Sequence, residues 1–297
     1  MNHVELLYGR YFEAGNEALA ATLAFIQTSE TDSSVQELDA ALRGYHAAFG
    51  VLPAFSDAFM AAPFGVRLRS RLFLEAGDDL TTSVVAASGG FYKSACHALR
   101  SFVEMAFLGL YFGEKEDSGE RWFAHAEFTP SFKNKILPTV LENPRLAQIE
   151  GALDFQSRAR TLYDDLSAFT HTRGLAAGYV ALPTGFSIRR NSVGWFDKEL
   201  FHVWAGWCVE AIRTVTIALV ATFPNALLEL PISDKFRADE EPIELEEPMT
   251  GILRLSDVHY LRAMFTPETL SVLQGISDQD QSVQQIKVWM ESLPDVR

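Results

Sequence analysis

Phe155, Ala159, Leu162, Leu166 and Phe169 recur at spacings of four, three, four and three, which draws a single apolar face along a helix. The pattern predicts a helix over about 145–172, ended by Gly174 and Gly178. Similar periodicity predicts helices over about 4–27 and 33–46. The second starts in the cluster SETDSS, whose serine and aspartate oxygens can accept from the first unpaired N–H groups. A longer helical stretch covers about 67–112, interrupted near Gly77 and loosened at Gly89 and Gly90. Its second half, FYKSACHALRSFVEMAFLGLYF, is apolar nearly all the way round, as expected of a helix in the middle of a bundle. The last strong helix covers about 197–222.

Between these segments the pattern breaks. GEKEDSGERW reads as a polar loop, Pro53 and Pro63 bracket a short helical piece, and Pro130, Pro138 and Pro144 punctuate further short helices. YVALPTGFSIRR alternates apolar with small or polar residues around Pro-Thr-Gly, which predicts a small β-hairpin. DKFRADEEPIELEEP is acidic and lacks periodicity, so it reads as a linker or arm. Short helices follow, one begun by Thr266-Pro267-Glu268. The expected fold class is all-α: a helical bundle over 1–231 with a small β-hairpin insertion, an acidic linker over 232–249, and a small helical C-terminal appendage over 250–297.

Charge changes the picture locally. The net charge of -14 opposes a general coat for nucleic acid, whose phosphates it would repel. From Ser233 onward there are thirteen acids against six bases, so roughly half of the excess lies in the last quarter of the chain. The alternating arginines Arg67, Arg69 and Arg71, or the pair Arg189 and Arg190, could form a basic groove for the acidic arm. Cys96 and Cys208 each sit in an apolar helical context, which predicts free thiols in a reducing compartment. The first residues, MNHVELLYGRYFEAGNEA, do not read as a signal peptide. The apolar run 203–223 carries Glu210 and Arg213, which favours a core helix over a membrane span. A soluble, cytoplasmic protein without membrane attachment is expected.

Little catalytic chemistry is legible. GGFYKS, residues 89–94, lacks the glycines and the preceding strand of a phosphate-binding loop. No G-x-S-x-G, HExxH or CxxC pattern occurs, and no metal or cofactor is expected. Arg254 and His259 stand at R-x4-H spacing in the appendage. Two polar stripes in the bundle carry more. His97, Arg100 and Glu104 lie at i, i+3 and i+7, and Arg100 and Glu104 are spaced to pair. Arg160, Asp164, Ser167 and His171 form a second stripe opposite the apolar face of their helix. Each stripe is either a solvated face or, if the two meet, a site. There Arg100 would orient an anion or carboxylate, His171 would act as acid or base, and Ser167 would bond to it.

LRSFVEMAFLGLYF (residues 99–112) and YDDLSAFTH (residues 163–171) together resemble a set of bacterial helical-bundle proteins. These carry an LR-x3-E helix and a Y-x2-LS-x3-H helix end, and some are similar to HEPN-like bundles associated with defence or toxin-type loci. The resemblance covers about ninety residues and implies site positions Arg100, Glu104, Tyr163, Ser167 and His171. One departure matters: Arg160 precedes His171 by too many residues for the R-x4–6-H signature of HEPN ribonucleases, so the resemblance does not carry that activity with it. The leading expectation is therefore a non-catalytic helical interaction or regulatory protein of a bacterial stress or defence system. It would act as a homodimer with a possible protein partner. The alternative is a metal-independent HEPN-like ribonuclease or phosphotransfer enzyme acting on RNA. For that alternative Arg100, Glu104, Ser167 and His171 are the candidate catalytic residues, with His97, Arg160, Tyr163 and Asp164 the candidate binding residues.

Overall fold

The computed structural model describes residues 3–29, 31–49, 64–170, 195–228 and 258–292. The described part is all-α, with no strand among these residues. In chain order come α1 (His3–Thr28), α2 (Ser33–Phe49), α3 (Phe64–Ser88), α4 (Tyr92–Glu114) and α5 (Glu116–Phe123). A π-helical turn (Phe132–Ile136) leads into α6 (Leu137–Val140), α7 (Pro144–Leu153) and α8 (Phe155–Thr170). Then follow α9 (Lys198–Thr222), a 3-10 turn (Pro224–Leu227), α10 (Val258–Ala263), α11 (Pro267–Gln279) and α12 (Gln281–Ser292). The expected hairpin, the acidic linker, the piece between Pro53 and Pro63, Arg189, Arg190 and Arg254 lie outside the described residues.

Contacts divide the chain into two compact units. One comprises Met1–Asp39, Leu72–Ala106 and Ser157–Ala211; the other comprises Ala40–Arg71, Phe107–Gln156 and Ile212–Arg297.

In the first unit, α3 and α4 form an antiparallel hairpin, where the periodicity had suggested one loosened helix. Its turn is a Schellman motif. Gly90 adopts φ 75°, its N–H donates to the Ala87 carbonyl (2.9 Å), and the Phe91 N–H donates to the Ala86 carbonyl (2.8 Å). Gly77, by contrast, interrupts nothing, because α3 runs through it. The core of this unit includes Leu72, Phe73, Leu99, Phe102, Leu162, Leu166, Phe201 and Trp204, all buried. On α1, Phe25 sits among Phe196, Phe201 and His202, with the Lys198 ammonium 5.1 Å from its ring centroid. Asp32 caps α2 by accepting from the Ser34 N–H (3.0 Å) and lies 3.1 Å from His202 Nε2 on α9.

Ser83 joins three helices of that core. Fully buried on α3, it donates to the Ala95 carbonyl of α4 (2.8 Å) and accepts from Trp204 Nε1 of α9 (3.0 Å). Ser83→Ala would leave the indole N–H buried without an acceptor. We expect a loss of about 1–3 kcal/mol, measured by urea unfolding. A coupling near zero in a double-mutant cycle with Trp204→Phe would contradict the shared bond.

In the second unit, Phe107, Leu108, Gly109, Leu110, Tyr111 and Phe112 are buried consecutively, so this end of α4 has no solvent face. Phe107 packs on Phe132 and Phe155, and Phe112 on Trp122. The segment GEKEDSGERW is not a loop. It forms most of α5, whose first turn carries Glu116 and Asp117 and whose last turn carries Arg121, each sign matching its helix end. Gly119 lets α5 approach: a Cβ there would stand 3.0 Å from Leu68 and 3.2 Å from Phe112.

The expected helix over 145–172 is two helices. Asp154, at φ 48°, closes α7 in the left-handed region that aspartate tolerates, and the Glu150 carboxylate accepts from the Gln156 N–H (2.6 Å) across the break. The three alternating arginines also separate. A two-residue step turns the helix by about 200°, so Arg67 and Arg71 share an exposed face while Arg69 points elsewhere. Arg69 lies against the Phe223 ring (5.1 Å) and near Glu114 and Glu116. It is half-buried, and that burial lowers its pKa against the pull of the two glutamates.

Helix α9 is the one described helix long and apolar enough to cross a membrane, but 72% of its apolar window is buried within the protein. Cys96 and Cys208 are free and fully buried, and burial pushes the Cys208 thiol up to about 12. Both should resist maleimide in the folded protein and react only after unfolding; rapid native-state labelling would contradict the assignment.

Candidate functional site

Helix α4 delivers Arg100 and Glu104 one turn apart, and α8 brings Tyr163 against them, all within the first unit. The Arg100 guanidinium binds Glu104 Oε1 through Nη2 (2.9 Å) and Nε (3.3 Å), and Nη2 also donates to the Tyr163 hydroxyl (2.8 Å). That hydroxyl donates in turn to Glu104 Oε1 (2.5 Å), closing a three-membered ring of hydrogen bonds. The guanidinium carbon stands 4.9 Å from the centroid of the Tyr163 ring, so cation–π attraction adds to the bonds.

Burial, joined by the bond to the Glu104 carboxylate, pushes the Tyr163 phenol up to about 12. Burial alone would lower Arg100; its bond and charge pairing with Glu104 outweigh that and raise it. Both shifts describe a cluster in which charges are matched internally. Arg100 and Glu104 pair as their spacing predicts, but they are half-buried, with side-chain exposures of 20% and 28%. A pair this wet contributes less than a dry one.

The other predicted residues are placed as follows. His97 is exposed on α4. Arg160 and Asp164 are exposed on α8, one turn apart, each with interactions of its own. Ser167 follows Tyr163 by one turn, and its hydroxyl oxygen is buried with no hydrogen-bond partner among the described residues. His171 lies outside the described residues. The α8 residue placed against Arg100 and Glu104 is thus Tyr163, which belongs to neither polar stripe, which periodicity alone did not single out and which entered through the resemblance.

Sequence reasoning missed a neighbouring group. Asp79 on α3 lies near Ser101 of α4, with Glu75, Asp78 and His97 also nearby. Burial raises its carboxyl, and the two other carboxylates push the same way, against the pull of the nearby Ser101 hydroxyl and His97. Antiparallel pairing of α3 and α4 places 79 level with 101, which no local spacing could reveal. Among the described residues no group of three or more His, Cys, Asp or Glu side chains is placed to hold a metal ion.

The ring can be dissected by substitution. Arg100→Ala leaves Glu104 with the tyrosine bond and access to water, so we expect about 1–2 kcal/mol of destabilisation. Tyr163→Phe removes two bonds while keeping the ring under the guanidinium, and should cost about 1 kcal/mol. Chemical denaturation checks both; an Arg100→Ala cost above about 4 kcal/mol would mean a dry, buried pair.

No family model matches the chain, and no curated protein or solved structure matches it.

Proposed function

We propose that the protein is a non-catalytic helical interaction or regulatory protein that works as a homodimer in a bacterial stress or defence system. The observation that carries the non-catalytic part is the closed ring of Arg100, Glu104 and Tyr163. A guanidinium poised for phosphate or a substrate carboxylate presents its donors outward, whereas this one is neutralised by a carboxylate and bonded to a phenol of its own unit. The ring thus fixes α8 against α4, which is a positioning role. The stress or defence setting comes from the resemblance of residues 99–112 and 163–171, and a cytoplasmic location accompanies it.

The ribonuclease alternative draws on the buried Ser167 hydroxyl, one turn from Tyr163 and without a hydrogen-bond partner among the described residues. Isolating the natively expressed protein and identifying what comes with it separates the two. A stoichiometric protein partner, with no RNA cleavage by the purified chain, supports the proposal. RNA cleavage that Arg100→Ala abolishes, with the fold intact, overturns it in favour of the alternative.

A further inference from the structure

We infer that the exposed face of α1 is the surface through which two copies of this chain pair, antiparallel about a twofold axis. The inference deepens the homodimer reading above by supplying its surface. One side of α1 is used inside the first unit: Ala18 and Thr22 are buried, and the Thr22 hydroxyl donates to the Ser88 carbonyl of α3 (3.0 Å). The opposite side runs Asn16, Leu19, Ala20, Leu23, Ala24 and Gln27, all exposed. A solvated helix face carries charged residues, but this one has apolar residues at its centre and uncharged amides at its ends. Leu19 is 40% and Leu23 49% exposed.

The sequence of this face is complementary to itself when reversed, and that selects a second copy as the occupant. Leu19 and Leu23 lie on one shoulder of the helix, and Ala20 and Ala24 on the other. In an antiparallel twofold pair each shoulder meets its own counterpart. An axis between positions 21 and 22 brings Asn16 level with Gln27 of the second copy, and sets Leu19 beside its Leu23 and Ala20 beside its Ala24 with an offset of one residue, about 1.5 Å along the axis. One register thus packs leucine on leucine, lets the backbones approach over alanine, and matches an amide with an amide at either end.

Charge runs the same way. The acids of α1 from residue 13 onward, Glu13 and Glu17, both fall in its first two turns after that point, and residues 18–28 carry no charge. Antiparallel pairing sets Glu17 of each copy level with the uncharged end of the other α1, whereas parallel pairing would set the glutamates against one another.

The test uses the full chain. Sedimentation of the wild type should report a dimer, and Leu19→Glu/Leu23→Glu should report a monomer with unchanged helical circular dichroism, since both side chains already face water. A second measurement does not depend on that variant folding. A mixture of Asn16→Cys and Gln27→Cys chains should cross-link into a dimer with a short bismaleimide, the native thiols being buried. Asn16→Cys alone should not, because the two copies of position 16 lie about 16 Å apart along the helix axis. Cross-linking by Asn16→Cys alone would indicate parallel pairing and overturn the register. A wild-type dimer that the glutamates leave intact overturns the surface while sparing the homodimer. A monomeric wild type, including one that instead binds lipid vesicles through α1, overturns both.

Discussion

Gly90→Ala should destabilise the protein by about 2–5 kcal/mol and lower its melting temperature. Two independent effects add at this position. The Schellman turn requires a left-handed backbone, φ 75°, at Gly90, and an L-residue pays about 1–2 kcal/mol there. A Cβ at Gly90 would also stand 2.5 Å from the Trp195 carbonyl oxygen and 2.6 Å from its backbone nitrogen and carbon. Those are main-chain atoms leading into α9, so relief requires a segment to move rather than a side chain to rotate, as in overpacked cores. Gly89→Ala supplies the control. Its Cβ would meet the Phe91 ring at 3.1 Å and the Ala86 carbonyl oxygen at an ordinary 3.7 Å, and the backbone there is not left-handed. Parallel thermal and urea unfolding of the two variants checks this. Equal costs for Gly89→Ala and Gly90→Ala would mean that neither the turn conformation nor the approach of Trp195 matters.

The same glycine marks what the sequence could and could not disclose. Periodicity located α1, α2 and α9 to within a few residues, because each carries an apolar face whose spacing is set by the helix itself. The apolar face of α8 is buried at Phe155, Ala159, Leu162 and Leu166 as that spacing requires. Periodicity does not register a reversal of direction when the helices on both sides are apolar, so the α3–α4 hairpin read as one loosened helix. Asp154 hid the α7–α8 break in the same manner, since aspartate is common inside helices and its left-handed conformation leaves no trace in composition. The polar α5 reads as a loop in the sequence because it buries a glycine rather than a large side chain. At the candidate site the limit is distance along the chain. The Arg100–Glu104 pair is local and follows from i, i+4 spacing. Tyr163 lies 63 residues from Arg100 and Trp204 lies 121 from Ser83, and no local rule joins them.

Asp280→Ala should cost about 2–4 kcal/mol, and the wild type should lose this contribution in acid. Asp280 precedes α12, and its Oδ1 accepts from the backbone N–H groups of Ser282 (3.0 Å) and Val283 (3.2 Å) and from the Ser282 hydroxyl. Its other oxygen pairs with Arg145 of α7, which also donates to the Thr222 carbonyl at the end of α9 (3.0 Å). One carboxylate therefore caps a helix and holds α7 and α12 together, all within the second unit, where α11 packs on α7 and Ser277 bonds to the Pro224 carbonyl (3.0 Å). The side chain of Asp280 is 5% exposed and that of Arg145 39%, so deletion leaves the arginine able to reach water, and the loss stays short of that for a dry ion pair. Burial by itself would raise the carboxyl above its ordinary 3.8; the Ser282 hydroxyl, the Val283 N–H and Arg145 outweigh it and lower the pKa. A carboxylate depressed in the folded state binds its proton more readily when unfolded. Its stabilisation is then complete above about pH 4 and is lost as the pH falls through the lower, folded value. Asp280→Asn keeps a capping oxygen but no charge, so it should cost less than alanine at neutral pH and flatten the fall in stability below pH 4. Urea midpoints for the three proteins across pH 2.5–7 measure both effects, and a wild-type acid slope identical to that of Asp280→Asn would remove Asp280 as its source.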